Sequence, residues 1–181
     1  MFCCLGWGSL IWDPQSLPFS GRWAEDGPPL PIEFARESSD GRITLVVCDG
    51  VQSVAVLWTL LNVQTLDEAK RALAFREGIS HANTKYSIGW SEHTNTSEHP
   101  EATEICRWAE ARGIEGVVWT ALKPKIGVDY RVPTLHEVIA HLESLQGTKL
   151  RTAEEYIRRA PRQIITPYRE GIERALGWTP A

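Results

Sequence analysis

The chain has 181 residues and a formal net charge of −4 at pH 7, with 43% hydrophobic and 23% charged residues, a balance typical of soluble globular proteins. This length suits one domain with a single hydrophobic core. The mild acidity, without blocks of like charge, argues against a nucleic-acid or anionic-membrane surface. No segment has the roughly 20 apolar residues that span a bilayer, and the start has no signal-peptide pattern. We therefore expect one cytoplasmic domain over residues 1–181.

The chain opens with an apolar run that predicts a buried strand over Phe2–Leu5, followed by two glycines that flank Trp7. Glycines at a strand end permit positive φ angles and the close approach of another group. Successive backbone N–H groups in such a turn form a small cradle for an anion. These residues favour either a ligand-binding loop or a plain tight turn between core strands.

Runs rich in β-branched and aromatic residues, separated by turn residues, predict further strands in the first third of the chain. The predicted strands are Leu30–Ala35, Arg42–Cys48 and Ser53–Leu61.

Helix signals follow these strands. Thr65–Glu68 forms a capping box, and the helix that it opens is predicted to reach Glu77, with Gly78 as its terminator. A second helix is predicted over Pro100–Arg112, and a strand over Glu115–Leu122. Later helices are predicted from the capping boxes Thr134–Glu137 and Thr152–Glu155, and from Thr166-Pro167 to Gly177. Strands first and helices later indicate an α+β fold.

Glu77 is the main candidate for acid–base chemistry. At 100° per residue, Leu66, Ala69 and Leu73 form one apolar helix face, and Glu77 points within about 20° of Leu66. A carboxyl group shielded by that face, near the negative end of the helix dipole, is expected to have a raised pKa. The alternative is a frayed helix end at which Glu77 reaches solvent or pairs with an arginine such as Arg76.

Other candidate groups carry weaker signals. His81, Glu92, His93, Glu98 and His99 share a polar stretch that predicts a solvated loop, and their spacing matches no helical metal site.

Ser9 lacks the Gly-x-Ser-x-Gly pattern of α/β-hydrolases. The four cysteines form no Cys-x-x-Cys pair, so we expect buried, reduced thiols.

Two segments together resemble the γ-glutamylcyclotransferase family, particularly its ChaC-like branch. That branch carries a Tyr-Gly-Ser-Leu-Ile-Trp-x-Pro motif, which Trp7–Pro14 matches, and a leucine-rich helix ending in Arg-Glu, which Leu73–Glu77 matches. Glu33–Ser38 and Ile43–Leu45 are similar to a shortened form of the family's middle region. Trp7 departs from the family tyrosine, and Gly78-Ile79 follows the glutamate directly.

The resemblance implies a small mixed β-barrel surrounded by helices and an intramolecular aminolysis that releases 5-oxoproline from a γ-glutamyl amine or peptide. It implies that Glu77 is the general acid/base and that the N–H groups of Gly8, Ser9 and Leu10 hold the substrate carboxylate, with Trp7 lining the pocket. It implies no metal or organic cofactor, and it leaves the particular γ-glutamyl compound open. The alternative function is a non-catalytic member that binds a small anion or a partner protein through the same turn.

Overall fold

A computed structural model describes residues 1–93 and 95–181, and within them the chain forms ten strands and six helices. The strands are β1 (Phe2–Gly6), β2 (Phe19–Ala24), β3 (Pro29–Leu30), β4 (Ile32–Glu37), β5 (Ile43–Val47), β6 (Val54–Ala55), β7 (Leu57–Leu61), β8 (Ile88–Glu92), β9 (Asn95–Thr96) and β10 (Gly116–Thr120). The helices are α1 (Leu66–Arg76), α2 (His81–Ser87), α3 (Ala102–Glu110), α4 (Leu135–Ser144), α5 (Gly147–Arg159) and α6 (Pro167–Leu176).

The α+β class is confirmed, and the strands form an open sheet rather than the barrel that the resemblance implies. The main sheet has the order β2-β7-β1-β10-β8-β9, so among the described residues β2 and β9 are its two edges. It is mixed, because β1 pairs in parallel with β10 and antiparallel with β7. The chain divides into two compact units. The first unit consists of Met1–Gly6, Asp13–Pro29 and Ala55–Leu122. The second unit consists of Trp7–Trp12, Leu30–Val54 and Lys123–Ala181. The single-domain expectation stays a prediction.

The first unit contains the six-stranded sheet with α1, α2 and α3. Every residue of β1 is buried, which is typical of a strand covered on both faces. Helix α1 packs against β1, β8 and β10 through an apolar face that includes Leu66, Ala69 and Leu73. Helix α3 packs against β8 and β10 through buried residues that include Ile105. The region around β1 and β10 is therefore the core of this unit.

The predicted solvated loop around the histidines is wrong. Helix α2 begins at His81, and β8 follows it and pairs with β10. Gly89 is the cross-strand partner of Trp119, and a Cβ atom at Gly89 would overlap the buried indole, so the glycine leaves the room that this side chain needs. The sequence did not indicate this helix, because α2 has no buried residue and therefore no periodic pattern of apolar residues. Thr94, within the same stretch, lies outside the described residues.

Edge strand β2 was not predicted from the sequence. It contains Gly21, with φ of +85°, and its pairing with β7 shifts register between Ser20 and Ala24. Because this edge strand is irregular and none of its residues is fully buried, it lacks the alternation of buried and exposed positions that signals a strand.

The second unit contains the antiparallel pair β4 and β5 with α4, α5 and α6. Helix α5 packs against β5, α6 packs against β4, and α4 contacts α6. The predicted caps at Thr134 and Thr166 are confirmed, and Gly177 ends α6 with φ of +71°. The predicted cap at Thr152 is wrong, because α5 begins at Gly147 and the Thr152 hydroxyl donates to the Thr148 carbonyl inside the helix.

A buried carboxyl group, Glu33 on β4, joins the strand to the start of α6. Its Oε1 accepts from the Phe34 N–H at 2.8 Å and from the Thr166 hydroxyl, and its Oε2 accepts from the Tyr168 N–H at 3.2 Å. Burial raises the pKa of the Glu33 carboxyl, while these hydrogen bonds oppose the rise. A carboxylate at a helix N-terminus satisfies N–H groups that have no partner within the helix.

We expect Glu33 to give stability a distinctive pH dependence. Because its folded pKa lies above the unfolded value of about 4.3, its contribution is fully present below that value and is lost as pH rises through the folded pKa. In urea unfolding from pH 3.5 to 8, the stability of wild type minus that of Glu33→Gln should therefore fall as pH rises.

Glu137→Gln is the matched control, because the contribution of Glu137 to stability should change with pH in the opposite direction. Hydrogen bonds from Arg131, and then from Thr134, lower the pKa of Glu137 to about 2. Its contribution is present above the unfolded pKa and is lost as pH falls. A Glu33 difference that does not change with pH would contradict the assignment of a raised pKa.

Candidate functional site

The end of helix α1 is fixed by local hydrogen bonds. The Glu77 N–H donates to the Leu73 carbonyl at 3.0 Å, and the Ile79 N–H donates to the Ala74 carbonyl at 2.8 Å. Gly78, with φ of +64°, adopts the left-handed conformation that such a helix end requires. The predicted terminator is confirmed, and Glu77 occupies the capping position directly after the last helical residue.

The Glu77 side chain is largely shielded and ion-paired. Its exposed fraction is 18%, and its Oε1 lies 2.7 Å from Nη1 of Arg76, whose side chain is 6% exposed. Nη2 of Arg76 also donates to the Asp13 carbonyl at 2.6 Å, which anchors the guanidinium. The structure combines parts of both sequence interpretations, since the Glu77 side chain is shielded and also pairs with Arg76. The paired guanidinium stabilises the carboxylate as an anion.

The charges of Glu77 and Arg76 also affect the pKa of the Cys4 thiol on β1. Burial is the main cause of the raised pKa of Cys4, followed by the influence of Cys3 and then of Glu77, while Arg76 acts in the opposite direction. The Glu77 carboxylate thus lies close enough to the central strand of the first unit to act on a core thiol. Cys3, Cys4 and Cys48 are buried and unbridged, and Cys106 is half-buried and unbridged.

The turn at Trp7–Leu10 belongs to the second unit. The Ile11 N–H donates to the Gly8 carbonyl at 3.0 Å, which closes a tight turn around Ser9 and Leu10. Trp7 is 3% exposed, and its indole N–H donates to the Leu45 carbonyl at 3.1 Å. The indole therefore anchors the turn to β5, and its N–H is bonded within the protein.

Gly8 does not have the positive φ that the sequence suggests. A glycine is needed at this position because a neighbouring group approaches the backbone closely. A Cβ atom at this position would lie 2.3 Å from the hydroxyl oxygen of Tyr156. The turn is thus packed directly against a phenol from α5.

Sequence reasoning missed Tyr156. Its side chain is 5% exposed, and its hydroxyl accepts from the Leu45 N–H at 3.3 Å. Its ring packs edge-on against Trp12 and Phe34, with centroids 5.5 and 6.5 Å apart. The helical spacing of Ala153, Tyr156 and Ile157 signals a buried face. No local pattern links that face to the distant N-terminal turn.

The remaining candidates provide no metal centre in the part of the chain that the structure describes. No group of three or more His, Cys, Asp or Glu side chains there is arranged to hold an ion. Likewise, none of the helices built from the described residues is long and apolar enough to cross a membrane.

No family model matches the sequence, and no curated protein matches it. The fold is similar to the crystal structure of a γ-glutamyl cyclotransferase specific to glutathione from yeast. The TM-score is 0.53 at 14% sequence identity, over 97% of this chain and 97% of that chain. At this identity the likeness establishes a γ-glutamylcyclotransferase-like α+β fold.

The contact between Gly8 and Tyr156 predicts a coupled pair of substitutions. Gly8→Ala should reduce the free energy of unfolding by about 1–3 kcal/mol, because the methyl group overlaps the phenolic oxygen. In a Tyr156→Phe background the same change should cost less, with a coupling of about 0.5–3 kcal/mol. Urea denaturation of the two single variants and the double variant measures this coupling. Strictly additive effects would contradict the contact.

Proposed function

We propose that this protein is a γ-glutamyl cyclotransferase-like enzyme that releases 5-oxoproline from a small γ-glutamyl amine or peptide. The observation that carries the proposal is the fold likeness to an enzyme of that activity over nearly the whole chain. The motif at Trp7–Pro14 supports placing the protein with the ChaC-like branch. The shielding of the Glu77 carboxylate supports a role for this residue in proton transfer.

In the proposed reaction, the α-amine of the γ-glutamyl group attacks its own γ-carbonyl carbon. A carbon–nitrogen bond closes the five-membered ring, and the bond from that carbon to the leaving nitrogen breaks. Two of the three protons of the starting α-ammonium end on the released amine, and Glu77 carries one of them. Because both reacting groups belong to one molecule, the enzyme mainly has to orient them and move protons.

Arg76 is proposed as the positioning residue for Glu77. Its guanidinium contacts the Glu77 carboxylate and the Asp13 carbonyl at the same time, so it holds the acid in one orientation. By stabilising the anion, it favours the form of Glu77 that accepts a proton.

The turn is proposed as the substrate-binding element. The N–H groups of Ser9 and Leu10 and the backbone of Gly8 would hold the substrate carboxylate, as anions are held by consecutive amides. Because the indole N–H of Trp7 is bonded to Leu45, Trp7 would contribute its ring rather than a hydrogen bond.

We propose a small-molecule substrate and a cytoplasmic site of action, with no nucleic-acid or membrane partner, which the net charge of −4 supports. The fold neighbour acts on glutathione according to its name, so glutathione is the first compound to test.

A non-catalytic binding function is the second candidate. The observation that favours it is the Arg76–Glu77 ion pair itself, because a carboxylate paired within the protein also suits a purely structural helix end. Such a protein would bind a small anion at the turn and form no product.

The wild-type protein should release 5-oxoproline from at least one member of a panel of γ-glutamyl amines and peptides that includes glutathione. Glu77→Gln should lower kcat by about 10²- to 10⁴-fold, because the amide cannot accept the proton. Mass spectrometry of the released 5-oxoproline measures both. Glu68→Gln, on the same helix, is the matched control and should keep near-wild-type kcat. An equally active Glu77→Gln variant would refute the mechanism, and an inactive wild type would favour the second candidate.

A further inference from the structure

A cavity of about 440 Å³ lies at the start of helix α1, within the first unit. Its lining residues come from α1, β8 and β9 and from the residue before α1, and they include Asp67, Lys70, Trp90, Glu92 and Asn95. Glu77 follows the other end of the same helix, whose 11 residues span about 16 Å. The cavity is therefore separate from the proposed acid–base group.

The cavity already holds one alkylammonium group of the protein, the side chain of Lys70. Its Nζ lies 5.1 Å from the centroid of the Trp90 ring and 2.6 Å from Oδ1 of Asp67. A cation at this distance from an indole is attracted by the negative face of the ring. The contacts of Lys70 therefore show that an aromatic face and a carboxylate in this cavity stabilise a primary ammonium together.

Glu92 adds a second carboxylate, which forms no ion pair with any residue that the structure describes. Trp90 and Glu92 are two residues apart on β8, so their side chains lie on the same face of the strand. Asn95 is the cross-strand partner of Glu92, and directly paired residues also share a face. With one ammonium and two carboxylates, the described lining has a net charge of −1.

These groups suit a second primary ammonium. Such an ammonium has three N–H donors, and the Glu92 carboxylate, the Asn95 side-chain carbonyl and the Thr96 hydroxyl all line the cavity and can accept them. An alkyl chain can pack against the Trp90 ring and Leu66, as the carbon chain of Lys70 does along an aromatic surface. The net negative charge opposes binding of an anion.

We propose that this cavity is a binding site for a small aliphatic amine in its protonated form, with the ammonium between the Trp90 ring and the Glu92 carboxylate. The inference depends on the cavity and its contacts and not on the proposed function. Its test is therefore a binding measurement that requires no turnover.

Binding is measured by NMR chemical-shift titration of the backbone amides at constant ionic strength. The probe is n-butylammonium, which has the carbon chain and the ammonium of a lysine side chain, and 1-butanol and butyrate are the neutral and anionic controls. So small a probe should bind in the millimolar range, with saturating shifts that are largest at Trp90–Glu92 and at the start of α1. The two controls should bind at least about tenfold more weakly.

Two variants should change the affinity in opposite directions. Glu92→Gln keeps the shape of the side chain and removes its charge, so n-butylammonium should bind about tenfold more weakly. Lys70→Met removes the cation that already contacts Trp90, so n-butylammonium should bind about threefold more tightly or better, because like charges repel. Glu98→Gln changes an exposed carboxylate after β9 and is the matched control, which should bind as wild type does.

Both variants are expected to fold, because Glu92 is only half-buried and Asp67, the ion-pair partner of Lys70, is 70% exposed. Thermal melts check this, and the comparison of the three probes on wild type needs no variant.

The inference would be overturned if wild type showed no saturating shifts with n-butylammonium, or if butyrate or 1-butanol bound it as tightly. Equal affinity of wild type and Glu92→Gln would do the same. Lys70→Met with an affinity at or below that of wild type would also contradict it, since a site for anions would lose binding when the lysine is removed.

Discussion

The ion pair between Arg76 and Glu77 is the interaction on which the proposed chemistry depends. It forms where α1 ends against the central strands, and the Asp13 carbonyl binds the other end of the guanidinium. Three elements therefore determine the position of one carboxylate: the helix, the Gly78 turn and the loop after β1. The Arg76 guanidinium, itself buried, holds this carboxylate in one position away from bulk solvent.

In the second unit, side-chain hydrogen bonds stabilise the edge of a strand. A two-stranded sheet has exposed edges, and here aromatic side chains bond the edge of β5 at Leu45. The contacts that satisfy this strand also hold the N-terminal turn, since Trp7 lies at its start and Tyr156 packs on Gly8. The same two aromatic residues thus support the strand and position the turn.

Features with local signals were predictable from the sequence. Thr65 and Gly78 set the two ends of α1, and Thr134, Thr166 and Gly177 did the same for later helices. In each case the capping side chain or the left-handed glycine acts within one helical turn.

Features that depend on distant partners were not predictable. Strand β8 is defined by pairing with β10, where Gly89 makes room for Trp119. For Gly8, the sequence offered a positive φ or the close approach of another group. The φ is not positive, and the approaching group is a tyrosine on α5 that no local pattern could identify. The Glu77 side chain was expected to be shielded, while its anchoring through Asp13 depends on the tertiary fold.

The central claim is that the bond to the leaving amine is broken by the substrate's own α-amine and not by water. The most direct measurement is mass spectrometry of the product formed by the wild-type protein from a γ-glutamyl amine in water enriched in oxygen-18. Intramolecular aminolysis predicts 5-oxoproline that carries no label from the solvent. Glutamate carrying one oxygen-18 atom would show hydrolysis and contradict the account.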